Sequence, residues 1–164
     1  MYRIAVLTSS ETQEAFYIEQ LSRFCFERGL FPKMDCYRGQ ELFFDVARVN
    51  APTCTVIALP GVEGLNAVEH LRTLFPETRI IWCSDLDFSL HAFRLRVDYF
   101  LLEPITEEAF QQGLSTWSDG KKTSALFRAD HNKHNNEEDY CCLLYTSPSP
   151  RDGLLISYAV FCLK

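Results

Sequence analysis

Glu103 occupies the position in this chain that most invites chemistry. Residues 97–105 read Val-Asp-Tyr-Phe-Leu-Leu-Glu-Pro-Ile, and Tyr99, Phe100, Leu101 and Leu102 form an apolar run suited to a strand buried on both faces of a parallel sheet. Pro104 ends that run, because its ring fixes φ and biases Glu103 away from helical geometry. A carboxylate is left at the carboxyl end of a buried strand, the edge where open α/β sheets bind ligands. Asp85 and Glu63 are the other acids near that edge, and Ser84 and Thr8-Ser9-Ser10 supply hydroxyls there. His70 and His91 lie on predicted helices with no second ligand at metal spacing and read as surface or partly buried side chains. His131 and His134 precede Glu137-Glu138-Asp139, but the segment 130–139 has no apolar residue and reads as disordered.

The elements that must position these groups follow from apolar period. A chain of 164 residues with 47% hydrophobic and 23% charged residues fits one globular domain with a sizeable core. No apolar run approaches the roughly 18 residues of a membrane span, and Met1-Tyr2-Arg3-Ile4 opens like a strand rather than a signal peptide, which points to the cytoplasm. Cys25, Cys36, Cys54 and Cys83 stand singly among apolar neighbours, as buried free thiols do. A net charge of −6 and a pI near 5.2 argue against strong nucleic-acid binding and favour a protein partner.

Strands are predicted at 3–7, 31–37 (weakened by Pro32 and Lys33), 53–59, 79–83 and 99–102. Helices are predicted at 11–28, closed by Gly29; at 39–49, with Leu42, Phe43, Val46 and Ala47 on one side; at 65–74 after a turn cluster at 60–64; at 88–95; and from Thr106 onward, with Phe110, Leu114 and Trp117 in its stripe. Alternating strands and helices with right-handed crossovers make an α/β, doubly wound parallel sheet covered on both faces.

The order of these elements and their local residues resemble the receiver domain of bacterial two-component response regulators, most closely the branch fused to a LytTR DNA-binding domain. The carrying segments are Met-Tyr-Arg-Ile-Ala-Val at the start, Cys36-Tyr37-Arg38-Gly39-Gln40-Glu41-Leu42, Leu59-Pro60-Gly61-Val62-Glu63-Gly64, and 97–105, within residues 1–117. The resemblance implies a five-stranded, flavodoxin-like sheet of order 2-1-3-4-5 and a cis peptide bond before Pro104.

A working receiver holds Mg²⁺ on two acids after its first strand, phosphorylates an aspartate ending its third, and reads the phosphoryl group with a Ser/Thr and a lysine. In this chain the acid pair falls on Thr8 and Ser9. The acceptor falls on Ala58, or on Ile57 if the gap is placed differently, and the lysine falls on Glu103. Ser84 matches the hydroxyl and Phe100 the switch aromatic, although a strand-end hydroxyl and a core aromatic are the better readings of the two. A relocated metal site on Glu63, Asp85 and Glu103 would require their convergence, whereas carboxylates at sheet ends are mostly solvated. The implied protein is a pseudo-receiver: not an enzyme, with no catalytic residue, metal or cofactor, acting through phosphorylation-independent protein association or a homodimer at the helix 4, strand 5 and helix 5 face. Phe93, Leu95 and Phe110 are candidates for that face, although core burial explains them equally well. DNA would be contacted only through an output domain missing from this sequence, and no membrane is involved.

Residues 118–141 read as a linker or a disordered truncated end. Residues 142–152, Cys-Leu-Leu-Tyr-Thr-Ser-Pro-Ser-Pro-Arg-Asp, match a translated transposase-type sequencing adapter, and 156–163 match the flow-cell adapter that follows it. The segment 142–164 is therefore expected to be non-native. The competing class is a small-ligand or flavin-binding protein on the same scaffold, with Thr8-Ser9-Ser10-Glu11-Thr12 as phosphate loop, although that loop lacks glycine.

Overall fold

Five buried residues in succession, Ile4 to Thr8, make Arg3–Thr8 (β1) a strand covered on both faces. The computed structural model describes residues 2–118. In chain order, β1 is followed by Glu11–Glu27 (α1), Lys33–Tyr37 (β2), Gln40–Val49 (α2), Cys54–Ala58 (β3), Gly61–Leu74 (α3), Arg79–Ser84 (β4), Ser89–Arg94 (α4), Tyr99–Leu102 (β5) and Glu107–Ser118 (α5). The strands form one parallel sheet of order β2-β1-β3-β4-β5, the arrangement expected from the sequence.

Alternate residues of each strand enter opposite cores. Ile4, Val6, Val56, Ile81 and Leu101 pack with Tyr17, Leu21 and Phe24 of α1 and with Phe110, Leu114 and Trp117 of α5. Leu7, Ile57, Ile80, Trp82 and Phe100 pack on the other face with α2, α3 and α4. Phe24, Phe43 and Phe110 are at most 1% exposed, and burial of each contributes roughly 1.5–3 kcal/mol. Among the described strands β2 is hydrogen-bonded only to β1 and is the half-buried edge.

Local chemistry sets the ends. Gly29, at φ +63°, closes α1: its N–H donates to the Phe26 carbonyl, and the Leu30 N–H donates to that of Cys25 at 2.8 Å, a Schellman pair requiring a left-handed residue. Thr106 caps α5 through Oγ1, which accepts the Ala109 N–H at 3.2 Å.

Several expectations are corrected. β2 begins at Lys33 rather than residue 31, because Pro32 has no N–H to donate and Phe31 is exposed. The buried stripe of α2 is Phe43, Phe44 and Ala47, leaving Leu42 in solvent. The cluster 60–64 is the first turn of α3, not a separate loop. A Cβ on Gly64 would lie 2.6 Å from the Leu59 carbonyl oxygen and 3.2 Å from Trp82 Nε1, so this glycine lets the first turn of α3 sit against the chain leaving β3 and against β4. α4 is only six residues long. Phe110 is fully buried against Phe16 and Tyr17 and Leu95 is half-buried, so neither offers the open surface that Phe93 does. Cys36 is half-buried on the edge strand; the other described cysteines, all free thiols, are buried.

α5 extends through Ser118, one residue into the segment read as linker. The rest of that linker, His131, His134 and the segment 142–164 lie outside the described residues.

Candidate functional site

Register brings the strand ends together. Thr8 pairs with Ala58, Ala58 with Cys83, and Ser84 with Leu102, so Thr8, Ala58, Ser84 and Glu103 share the carboxyl edge of the sheet. Ser9 follows Thr8 and is exposed. Thr8 is fully buried; its hydroxyl donates to Gln13 Oε1 at 3.1 Å and accepts the Ser10 N–H at 3.3 Å. Gln13 Nε2 donates in turn to Glu103 Oε1 at 2.9 Å. The result is a polar chain, Thr8 to Gln13 to Glu103, which ties the turn after β1 to the turn after β5.

The remaining groups are also engaged. Glu103 donates its N–H to the Ser84 carbonyl at 2.8 Å, and its peptide bond to Pro104 is cis. Ser84 Oγ accepts the Leu86 N–H at 3.1 Å, a bond that satisfies the backbone at a strand end. Asp85 Oδ1 accepts the Gly61 N–H at 2.6 Å, where the positive end of the α3 dipole favours a carboxylate. Glu63 accepts from Gln40 Nε2 at 3.2 Å. Glu63, Asp85 and Glu103 thus bond to three separate partners, and no three His, Cys, Asp or Glu side chains converge as metal ligands among the described residues.

Beneath this edge the Tyr17 phenol neighbours the Cys83 thiol. Burial pushes the Cys83 thiol up to about 12 and raises the Tyr17 phenol well above its ordinary value, so both are neutral near pH 7. Phe100 is 7% exposed and meets the Trp82 ring edge-on at 5.3 Å, while Phe88 stacks on that indole at 5.5 Å. Arg38, after β2, is bonded to Glu11 at 2.5 Å and Glu14 at 3.0 Å. His70 stacks on Phe44 at 4.2 Å, and His91 meets Phe88 edge-on.

One open groove of about 270 Å³ borders the edge, between α1 and the β5–α5 turn. Phe16, Tyr17, Pro104 and Ile105 give it apolar walls, and Gln13 and Glu103 its polar end. Gln13 had no signal in the sequence: a glutamine in the first turn of a helix is ordinary until the fold places Thr8 and Glu103 on either side of it.

No family model and no curated protein matches this chain. Solved structures do. A receiver domain protein from Clostridium thermocellum superposes with a TM-score of 0.57 at 14% identity, covering 74% of this chain and 98% of its own. The fold is that of a response-regulator receiver domain. The BeF3-activated DrrB receiver domain gives 0.54 at 18% identity, over 73% of this chain and 98% of that one. The response regulator DrrB from Thermotoga maritima, an OmpR/PhoB homologue, gives 0.55 at 18% identity; the match covers 73% of this chain and 53% of that chain. At these identities the likeness concerns the receiver fold alone. Within that fold, the hydroxyls of the loop after β1 are turned to each other and to Gln13, with Ser10 Oγ and Thr12 Oγ1 at 2.8 Å, which does not favour the flavin-binding alternative. No helix among the described residues is long and apolar enough to cross a membrane.

Proposed function

We propose that this chain contains a degenerate receiver, a non-enzymatic cytoplasmic signalling module that acts by protein association without an aspartyl-phosphate. The observation that carries the reading is Ala58: it ends the central strand β3 with a methyl group, 4% exposed, between Thr8 and Cys83. A methyl group cannot accept a phosphoryl group, and Thr8 and Ser9 offer no carboxylate pair for Mg²⁺. At the lysine position Glu103 would repel a phosphoryl oxygen rather than neutralise it. Incubation with acetyl phosphate and Mg²⁺, followed by intact-mass measurement, should leave the protein unmodified. Stable addition of one phosphoryl group, lost on substituting Asp85, Glu63 or Glu103, would overturn the reading.

Homodimerisation through α4, β5 and α5 is the association we assign. Leu90 and Phe93 of α4 are 69% and 49% exposed, which supports that face. DNA contact and transcription control are assigned to an output domain of LytTR type, and residues 142–164 to translated adapter DNA. Recovering the gene from source DNA tests both: a LytTR-type coding region should follow the receiver, and the adapter codons should be absent.

A further inference from the structure

We propose that the open edge of β2 pairs antiparallel with β2 of a second copy of this chain, with Met34 opposite the partner's Met34. This goes beyond the α4, β5 and α5 face assigned above and does not rest on it. The Lys33 N–H donates to the Tyr2 carbonyl at 2.9 Å, so Lys33, Asp35 and Tyr37 turn their peptide groups toward β1. Successive residues of a strand alternate in direction, which points the N–H and C=O of Met34 and Cys36 at the outer edge, where no described strand pairs. The helix beside this edge offers it an apolar flank. Ser22 Oγ lies 3.9 Å from Met34 Sδ, and Ile18 and Phe26 stand one turn to either side of Ser22 on the same face of α1. Phe26 is 79% exposed, and Phe31, just before β2, is 84% exposed.

Charge and symmetry select a second copy as the occupant. With the twofold axis at Met34, Lys33 faces the partner's Asp35 and Asp35 faces the partner's Lys33, giving two cross-strand ion pairs. An axis at Asp35 would set two carboxylates against each other. An axis at Cys36 would carry the ladder onto Arg38, which lies past the end of β2 and is tied back to Glu11 and Glu14 of α1. The axis at Met34 also suits the helices. Ser22, which touches Met34, meets the partner's Ser22, and Ile18 meets the partner's Phe26, so a small residue stands at the closest approach and the exposed ring is covered. The ladder is short. Met34 exchanges two hydrogen bonds with the partner's Met34, and the Cys36 N–H donates to the carbonyl of the partner's Pro32, which has no N–H to return and ends the pairing there.

The test uses the full chain carrying Leu90→Glu, a change to an exposed residue of α4 that blocks the other face and leaves the β2 edge as it is. In reductant, sedimentation equilibrium of this variant should show a dimer. Amide exchange followed by NMR should slow at Met34 and Cys36 as protein concentration rises, while Lys33 and Asp35, bonded to β1, stay unchanged. Lys33→Asp, which sets acids opposite each other across the edge, and Ser22→Arg, which sets two guanidinium groups at the axis, should each weaken the dimer about tenfold or more. Both residues are exposed, so the fold, read by circular dichroism, should be retained. A monomer at submillimolar concentration, which would leave the edge to a strand of another protein, overturns the assignment. A dimer insensitive to Lys33→Asp and Ser22→Arg, or exchange at Met34 and Cys36 that ignores concentration, overturns it as well. Association through the α4 face is read separately: it makes the unaltered chain heavier than the Leu90→Glu variant, and equal masses count against that face alone.

Discussion

Gln13 and Glu103, ninety residues apart in sequence, are joined by a 2.9 Å hydrogen bond that closes the carboxyl edge of the sheet. The bond links α1 to the β5–α5 turn, and Thr8 extends it back to β1. A single acid here faces a neutral amide, and their bond holds the turn after β5 to the first turn of α1.

That relationship predicts the effect of altering Gln13. Gln13→Ala should cost about 0.5–1.5 kcal/mol in urea denaturation, the net value of an ordinary hydrogen bond. Gln13→Glu should cost more at neutral pH, because two carboxylates would then face each other, and the excess should vanish in acid. An equal effect of both variants at neutral pH would show that the bond contributes nothing through charge.

Two glycines should separate cleanly. Gly64→Ala would force a Cβ to within 2.6 Å of the Leu59 carbonyl oxygen and 3.2 Å of Trp82 Nε1, so the first turn of α3 must shift, and a loss of about 1–3 kcal/mol is expected. Gly39, the N-cap of α2 at φ −135°, has nothing within 4 Å of such a Cβ. Gly39→Ser should therefore be tolerated or gain a few tenths of a kcal/mol by capping. Thermal midpoints of the two variants decide this.

Asp35 and Asp98 should give stability opposite dependences on pH. The hydrogen bond from Arg3 holds the Asp35 carboxyl below its ordinary value of 3.8, so its contribution is full above that value and lost as pH falls through the folded pKa. Burial raises the Asp98 carboxyl above 3.8, against the Ile80 N–H at 2.8 Å, so its contribution is full below that value and lost as pH rises through the folded pKa. Urea unfolding from acid to neutral pH should show Asp35→Asn flattening the acid side and Asp98→Asn removing the decline above it.

Arg72 staples the opposite end of the sheet. Its guanidinium donates to the carbonyls of Leu95, Pro76, Thr78 and Arg96 at 2.6–2.9 Å, with Asp98 at 4.0 Å. Lysine has no fork to span them. Arg72→Lys should thus cost about 2 kcal/mol or more in denaturant midpoint analysis, since hydrogen bonds to charged groups are each worth roughly 1.5–3 kcal/mol.

The sequence alone determined the alternation of strands and helices, because two-residue and helical apolar periods are local properties, and Pro104 and Gly29 mark their own turns. The strand runs were legible one at a time but their last residues were not: β1 runs on to Thr8 and β4 to Ser84, one residue past the apolar runs, and β3 stops at Ala58, one residue short. Tertiary structure alone decided what those residues touch. Glycines such as Gly61 and Gly64 look like a turn until packing against Leu59 shows them inside a helix, Phe110 looks exposed or buried according to which helix faces it, and Gln13 is one polar residue among many in α1. Hydrogen bonds across ninety residues depend on strand register and helix rotation, which no local pattern encodes; the parallel sheet fixed both and joined Gln13 to Glu103.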